Sequence, residues 1–163
     1  MEKSKTLYVM IGIPGSGKST CIKNNLEMLV RDYGVGKVVS RDAIRFSLVK
    51  EDEPYFSKEK EVFNTFIKEI KEGLADEKIN FVVADATHIN QASRTKTLRA
   101  LGDSLKGVKV VAIVMITDLD TCLQRNMKRT GRELVPEDAI INMYYNSTRP
   151  EEEEGFDEIW LVK

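Results

Sequence analysis

The most specific chemical signal in the sequence is a glycine-rich segment that ends in a lysine and a serine. Residues Gly12–Ser19 satisfy the pattern G-x-x-x-x-G-K-[ST]. Glycines at these positions allow backbone N–H groups to curl around phosphate oxygens, where larger side chains would obstruct them. An apolar strand-like run precedes the segment and a helical pattern follows it, which is the context that a phosphate-binding loop needs. The segment therefore predicts a nucleoside triphosphate site.

Each part of this loop has an expected task. Lys18 can reach the outer phosphates, and the Ser19 hydroxyl can hold a Mg²⁺ ion that bridges them. The start of the following helix adds a dipole that favours an anion. ATP and Mg²⁺ are therefore the expected cofactors, with Ser19 as the metal ligand and Lys18 as a catalytic cation. The expected nucleotide-binding residues in the loop are Gly12, Pro14, Gly15, Ser16, Gly17, Lys18, Ser19 and Thr20.

A second polar group follows the second strand-like run, Lys37–Ser40. In parallel sheets, ligands lie beyond the carboxyl ends of the strands, so Asp42 is expected to face the same crevice as the loop. A carboxylate there can take the proton of an attacking hydroxyl as a general base. Arg45 lies on the same helical face and can clamp an anionic part of the acceptor. The same residue types are equally compatible with an N-capping Asp42 beside a surface arginine.

An acid and a hydroxyl also follow the third strand-like run, Ile79–Ala84. Asp85 and Thr87 are expected on the acceptor side of the crevice. Asp85 can organise Mg²⁺ there, or it can orient Arg45 or the acceptor. His88 is the only histidine in the chain, and no partner for a catalytic triad or metal cluster lies near it in sequence. We expect His88 to be structural or to lie at the surface.

Two arginines in the C-terminal half, Arg125 and Arg129, stand one helical turn apart. Side chains at this spacing can point at one target, and Gly131 offers a hinge beside them. A mobile segment that carries two arginines suits a lid that closes over ATP and stabilises charge on the transferred phosphoryl group. We therefore expect Arg125 to bind the nucleotide and Arg129 to be catalytic. The alternative is a solvated basic helix end, which the helix dipole also favours.

Strand-like runs alternate with helical patterns along the whole chain. This alternation, together with the apolar and β-branched strands, predicts an α/β fold with a parallel sheet covered by helices on both faces. We expect a single domain over residues 1–163, with a long helix that Ser57 caps. The predicted strands are 6–11, 37–40, 79–84, 108–116 and 158–162, and the predicted helices are 17–31, 41–50, 57 onward, 91–105, 118–128 and 136–147.

Composition excludes several classes of protein. The chain has 163 residues and a formal charge of −1, so it lacks the basic excess of a protein that coats nucleic acid by bulk electrostatics. The longest apolar run, Val108–Ile116, is far shorter than the about 20 residues of a membrane span. The N-terminal residues lack the features of a secretion signal, so we expect a cytoplasmic protein without membrane association. Cys21 and Cys122 are expected to be buried thiols, and Glu151–Glu154 a solvated connector.

The order and spacing of these groups resemble the kinase domain of phage-type polynucleotide 5′-hydroxyl kinases, within a wider group that includes zeta-toxin-like kinases. The resemblance covers nearly the whole chain. It implies that Asp42 is the general base, that Arg45 binds the phosphate next to the attacked 5′-hydroxyl, and that the arginine pair belongs to a lid. It also implies the sheet order 2-3-1-4-5 and transfer of the ATP γ-phosphate to a nucleic acid 5′-OH end. The motifs that carry it are Gly12–Thr20, Ser40–Asp42 with Arg45, Asp85 with Thr87, and Arg125 with Arg129.

Three functions are compatible with these residues to different degrees. A kinase of nucleic acid 5′-ends is favoured, and the near-neutral charge permits it because an end-binding enzyme needs only about one or two phosphate contacts. A kinase of a small phosphorylated or sugar-like metabolite would use Arg45 equally well. A nucleotide-driven switch or ATPase is disfavoured, because the chain has no N-K-x-D motif and Asp85 stands between two alanines rather than beside a second acid.

Overall fold

A five-stranded parallel sheet forms the centre of the protein, in the order β2-β3-β1-β4-β5. The computed structural model describes residues 5–163. The predicted α/β class and the sheet order 2-3-1-4-5 are confirmed. Because β1 lies between β3 and β4, the loop that follows it is central at the carboxyl edge of the sheet. The strands are β1 (Lys5–Ile11), β2 (Gly36–Ser40), β3 (Phe81–Asp85), β4 (Val108–Met115) and β5 (Glu158–Val162).

Helices cover both faces of the sheet, and alternating side chains of each strand supply the two cores. On one face Leu7 and Val9 pack with Phe66 and Ile70. On the other face Tyr8 and Met10 pack with Leu29. None of the helices in the described part of the chain is long and apolar enough to cross a membrane. The helices are α1 (Lys18–Tyr33), α2 (Arg41–Leu48), α3 (Glu59–Ala75), α4 (Gln91–Leu101), α5 (Leu119–Met127) and α6 (Glu137–Tyr145).

The predicted start of α3 at a Ser57 cap is wrong. The N-cap of this helix is Lys58, without a side-chain cap hydrogen bond. The backbone N–H of Ser57 instead donates to the Pro54 carbonyl at 3.0 Å, which closes a turn before the helix begins. The helix predicted over 91–105 is also interrupted, because α4 ends at Leu101 and a 3₁₀ turn continues from Gly102 to Leu105.

The prediction of a solvated connector at Glu151–Glu154 is wrong for its last residue. The Glu154 carboxylate lies within 2.7 Å of the Arg94 guanidinium, with side chains 5% and 0% exposed. Burial of an unpaired charge is costly, so each of these two groups requires the other. The ion pair fastens the C-terminal segment to α4.

Cys122 and His88 behave as predicted, whereas Cys21 is less buried than expected. Cys122 is buried, Cys21 is half-buried, and both are free thiols. His88 is buried, with Nδ1 at 3.1 Å from the Met10 carbonyl and Nε2 at 3.1 Å from the Thr97 hydroxyl. Burial lowers the pKa of His88 to about 4, and Arg41 and Arg94 contribute to the lowering. His88 is therefore a neutral structural residue that joins β1 to α4.

Candidate active site

One cleft of about 1130 Å³ lies at the carboxyl edge of the sheet. It brings together nearly all the residues singled out by the sequence. Gly12 is the exception, because it is buried at the base of the loop and does not line the cleft. The predicted site residues that line it are Pro14, Gly15, Ser16, Gly17, Lys18, Ser19, Thr20, Asp42, Arg45, Asp85, Thr87, Arg125 and Arg129.

The glycine-rich loop depends on two glycines with left-handed backbone conformations. Gly15 has φ +82° and Gly17 has φ +101°, a region that L-residues with side chains rarely adopt. A Cβ atom on Gly15 would also lie 2.5 Å from the Cys122 carbonyl oxygen, so α5 packs directly against the loop. The loop therefore has the tight backbone curl that a phosphate cradle requires.

Lys18, the first residue of α1, extends back over the loop. Its Nζ donates hydrogen bonds to the carbonyls of Gly12 at 2.7 Å and Ile13 at 3.1 Å. Burial lowers the pKa of Lys18 to about 8, while the carboxylates of Asp85 and Asp42 act in the opposite direction. Both acids are therefore close enough to affect the ammonium group electrostatically.

The buried Ser16 hydroxyl has no hydrogen-bond partner among residues 5–163. Buried polar groups normally have a partner, and this one lies within the loop over which Lys18 extends. Phosphate oxygens are acceptors that suit a hydroxyl and an ammonium group. The loop therefore fits a nucleotide phosphate chain on its own geometry.

The donor set also fits magnesium bound through phosphate. No group of three or more acidic, cysteine or histidine side chains within the described residues has the geometry of a metal site. Mg²⁺ at nucleotide sites needs only about one or two protein oxygens besides phosphate and water. The exposed Ser19 hydroxyl and the Asp85 carboxylate line the same cleft. Burial raises the pKa of Asp85, an effect that Lys18 opposes and Asp42 reinforces.

The α2 wall of the cleft is built around Arg45, which is buried at the second turn of that helix. Its Nε and Nη2 donate to the two oxygens of Glu59, at 2.8 and 2.7 Å. Its Nη1 donates to Asp42 Oδ1 at 2.6 Å and lies 3.4 Å from the Tyr55 hydroxyl. Although burial lowers the pKa of Arg45, hydrogen bonds and charge from Glu59 raise it above its ordinary value. The Asp42 side chain is 68% exposed toward the cleft.

Sequence reasoning missed Glu59 and Tyr55, although both line the cleft. Neither belongs to a motif, and they lie 14 and 10 residues beyond the arginine that they contact. It also missed Arg41, whose buried Nε has no hydrogen-bond partner in the described part of the chain. The Arg41 guanidinium lies 3.5 Å from Glu59 and stacks 5.6 Å from the centre of the Phe63 ring.

The predicted lid region is a preformed loop between α5 and α6. The Asn126 side chain and the Val135 backbone exchange two hydrogen bonds, at 2.7 and 3.0 Å, which close this loop. Arg125 Nη1 donates to the Gly15 carbonyl at 3.1 Å, on the phosphate loop itself. The Arg132 guanidinium donates to the carbonyls of Phe46 and Val49 at the end of α2. The segment thus contacts both the nucleotide side and the acceptor side.

This combination of sheet order and phosphate loop is the fold of P-loop kinases. The chain belongs to the AAA domain family, whose model matches residues 7–150. Solved structures with very different acceptors have a similar fold. A fungal RNA kinase is 16% identical, with a TM-score of 0.65 over 99% of this chain and 76% of that one.

Two further similar structures are kinases of small molecules. The Mycobacterium tuberculosis APS kinase CysC, solved with AMPPNP and APS, is 20% identical, with a TM-score of 0.63 over 99% of this chain and 90% of that one. A sugar kinase from Janibacter is 14% identical, with a TM-score of 0.61 over 98% of this chain and 84% of that one. At these identities the likeness shows the fold, while the acceptor must be argued from the site.

Proposed function

We propose that this protein is an ATP-dependent kinase that transfers the γ-phosphate to the 5′-hydroxyl end of a polynucleotide. The observation that carries the proposal is the shared cleft. Lys18 on the phosphate loop and Asp42 on the opposite wall line it together, and the Asp42 carboxylate acts to raise the pKa of the Lys18 ammonium. A kinase needs this opposition of a phosphate cradle and a proton acceptor.

On the nucleotide side, the loop and α1 position the triphosphate. Backbone N–H groups and the Ser16 hydroxyl bind phosphate oxygens, and the Lys18 ammonium neutralises charge on the outer phosphates. Ser19 and Asp85 would hold Mg²⁺, which would supply charge stabilisation at the phosphates when bound. Arg125, already bonded to Gly15, fixes the loop from the lid side.

On the acceptor side, Asp42 accepts the proton of the attacking hydroxyl. The hydroxyl oxygen forms a bond to the γ-phosphorus while the bond between that phosphorus and the bridging oxygen to the β-phosphate breaks, which leaves ADP. Arg45 holds Asp42 Oδ1 at 2.6 Å and so fixes the direction of the carboxylate. Arg129 lines the same cleft, where its charge stabilises the transferred phosphoryl group.

Arg45 is also the proposed ligand of the acceptor phosphate. Its contacts with Glu59, Asp42 and Tyr55 use four N–H groups, and the fifth, on Nη2, has no partner within residues 5–163. A phosphate next to the attacked hydroxyl can bind this remaining donor, and Thr87 at the end of β3 lies in the same cleft. The resemblance to phage-type 5′-hydroxyl kinases supports this assignment.

A screen with ATP labelled in the γ-phosphate tests the acceptor class. The acceptors are 5′-OH DNA and RNA oligonucleotides, nucleoside 3′-phosphates, free sugars and sugar phosphates, with 5′-phosphorylated oligonucleotides as the matched control. We expect label on the 5′-OH oligonucleotides and nucleoside 3′-phosphates and none on the blocked control. Label confined to sugars or sugar phosphates would contradict the polynucleotide acceptor while leaving kinase chemistry in place.

A further inference from the structure

A second cavity of about 300 Å³ lies beyond the acceptor side of the cleft. It is enclosed by the end of α2, the turn before α3 and the loop after Gly131. Tyr55, Phe56 and Val135 line both cavities, so the two cavities adjoin at these residues. Leu134 and Pro136 add apolar surface to its far wall.

The entrance to this cavity adjoins the proposed base. The Tyr55 hydroxyl is 3.5 Å from Asp42 Oδ1, while its ring borders the second cavity. A molecule whose hydroxyl is bound by Asp42 therefore has Tyr55 and Phe56 beside its remaining atoms.

The two aromatic rings are held in place from behind. The Arg45 guanidinium lies 4.9 Å from the centre of the Tyr55 ring and 5.5 Å from that of Phe56. The rings also meet edge to face, with their centres 4.6 Å apart and an interplanar angle of 82°. Phe56 is nevertheless 59% exposed, so part of its ring is open to a ligand.

We propose that the second cavity is a subsite for the nucleobase attached to the sugar that carries the attacked hydroxyl. This inference rests on the proposed function and gives the base of its acceptor a definite place in the structure. Every base has a flat apolar face, and an exposed aromatic ring stacks on it with little sequence preference. A free sugar or sugar phosphate lacks the flat aromatic face of a base, so a nucleotide acceptor gains the most from this wall.

Binding can be tested without any catalytic turnover. The variant Phe56→Trp in a Trp160→Phe background places the sole tryptophan of the chain at the proposed stacking face. Titration with adenosine 3′-phosphate is expected to quench its fluorescence by stacking, while an abasic sugar 3-phosphate is expected to leave it unchanged. Equal responses to both ligands, or no response to either, would overturn the subsite.

A kinetic comparison tests the same wall in the working enzyme. Phe56→Ala is expected to raise KM for adenosine 3′-phosphate about five- to a hundredfold, which is the range measured for loss of one stacked base. KM for ATP and for the abasic acceptor should stay within about twofold. Phe56→Tyr, which keeps the ring, is expected to retain most of the affinity.

The matched control is Tyr33→Ala, which removes an exposed aromatic ring at the far end of α1. It is expected to leave all the kinetic constants unchanged. If Phe56→Ala weakens abasic and base-bearing acceptors equally, Phe56 acts through Arg45 and the subsite is wrong. If no acceptor is phosphorylated at all, the proposed kinase function fails, and the fluorescence titration still decides whether the cavity binds a base.

Discussion

Two buried arginines of this protein are clamped by glutamates in the same way, yet they serve different regions. Arg94 directs all five of its N–H groups at protein acceptors in Glu154, Thr148 and the His88 backbone. Its side chain is 0% exposed, and it lines neither of the two cavities described above. Arg45 also forms a bidentate pair, with a different glutamate, Glu59. It lies at the wall of the main cleft, its side chain is 8% exposed, and one of its N–H groups has no partner within residues 5–163.

Burial and ion pairing alone therefore do not distinguish a functional arginine from a structural one. Arg94 has exhausted its donors on the fold, so its role is to join α4 to the C-terminal segment. Arg45 and Asp42 both line an open cleft, and Arg45 binds the Asp42 carboxylate at 2.6 Å. In the proposed mechanism Glu59 therefore positions the arginine that orients the base, whereas the partner of Arg94 completes a structural ion pair.

The largest expected effect is a loss of stability when Arg94 is replaced. Arg94→Met leaves the Glu154 carboxylate buried without its partner, which should reduce the free energy of unfolding by about 3–5 kcal/mol. Urea denaturation measures this change. The control Arg31→Met, at an exposed surface pair, should stay within about 0.5 kcal/mol. Similar stability of the two variants would contradict the structural role of Arg94.

The next effect is on chemistry, at the carboxylate that Arg45 holds. Asp42→Asn keeps the side-chain shape but removes the proton acceptor, so kcat should fall by at least about a hundredfold. The affinity for ATP, measured by calorimetry, should change little because the phosphate loop is intact. Comparable transfer rates in the variant and the parent would remove Asp42 from the mechanism.

Removal of the Arg45 side chain should raise KM for the acceptor more than KM for ATP. Arg45→Ala deletes a charge-assisted donor for the acceptor phosphate, so KM for a 3′-phosphorylated mononucleotide should rise about ten- to a hundredfold. KM for ATP should rise far less. Steady-state kinetics with each substrate varied in turn measures both constants. Equal increases would place Arg45 in the same structural category as Arg94.

The ammonium of Lys18 should make nucleotide binding depend on pH. Its pKa of about 8 means that the free protein loses this charge as the pH rises through that value, whereas bound phosphate favours the protonated form. ATP affinity should therefore be about tenfold weaker at pH 9 than at pH 7, with proton uptake on binding. Calorimetry in buffers of different ionisation enthalpy measures both effects. Lys18→Arg, which cannot deprotonate in this range, should remove the pH dependence, and its persistence would contradict the assignment.

The smallest expected effect concerns the contact between the lid loop and α2. Arg132→Ala removes the hydrogen bonds to Phe46 and Val49, so kcat should fall about two- to fivefold through a less closed loop. Trypsin cleavage after Lys128 or Arg129 should become faster. Arg132→Lys should restore part of both properties. Unchanged cleavage with unchanged kcat would show that the contact does not hold the loop.

How well each part of the site could be predicted depended on how far apart in sequence its interacting residues lie. The phosphate loop could be predicted because its backbone curl depends on neighbouring glycines, and Asp42 because strand ends meet at one edge of a parallel sheet. Glu59 could not be predicted, since its contact with Arg45 depends on where α3 begins and no motif includes it. The Arg94–Glu154 pair joins residues 60 positions apart, so the acidic run gave no sign of it. For the same reason, the residue pattern suggested Arg45 as an acceptor ligand without indicating that Glu59 is its partner.

The stoichiometry of phosphate transfer tests the central claim most directly, because the claim is that ATP and a hydroxyl react across one cleft. ADP and phosphorylated acceptor would be quantified together, with and without a 5′-OH oligonucleotide. A kinase of 5′-ends should form one phosphorylated 5′-end for each ADP, and it should form very little ADP when the oligonucleotide is absent. Equal release of ADP and inorganic phosphate with or without the oligonucleotide would show a nucleotide hydrolase and contradict the account.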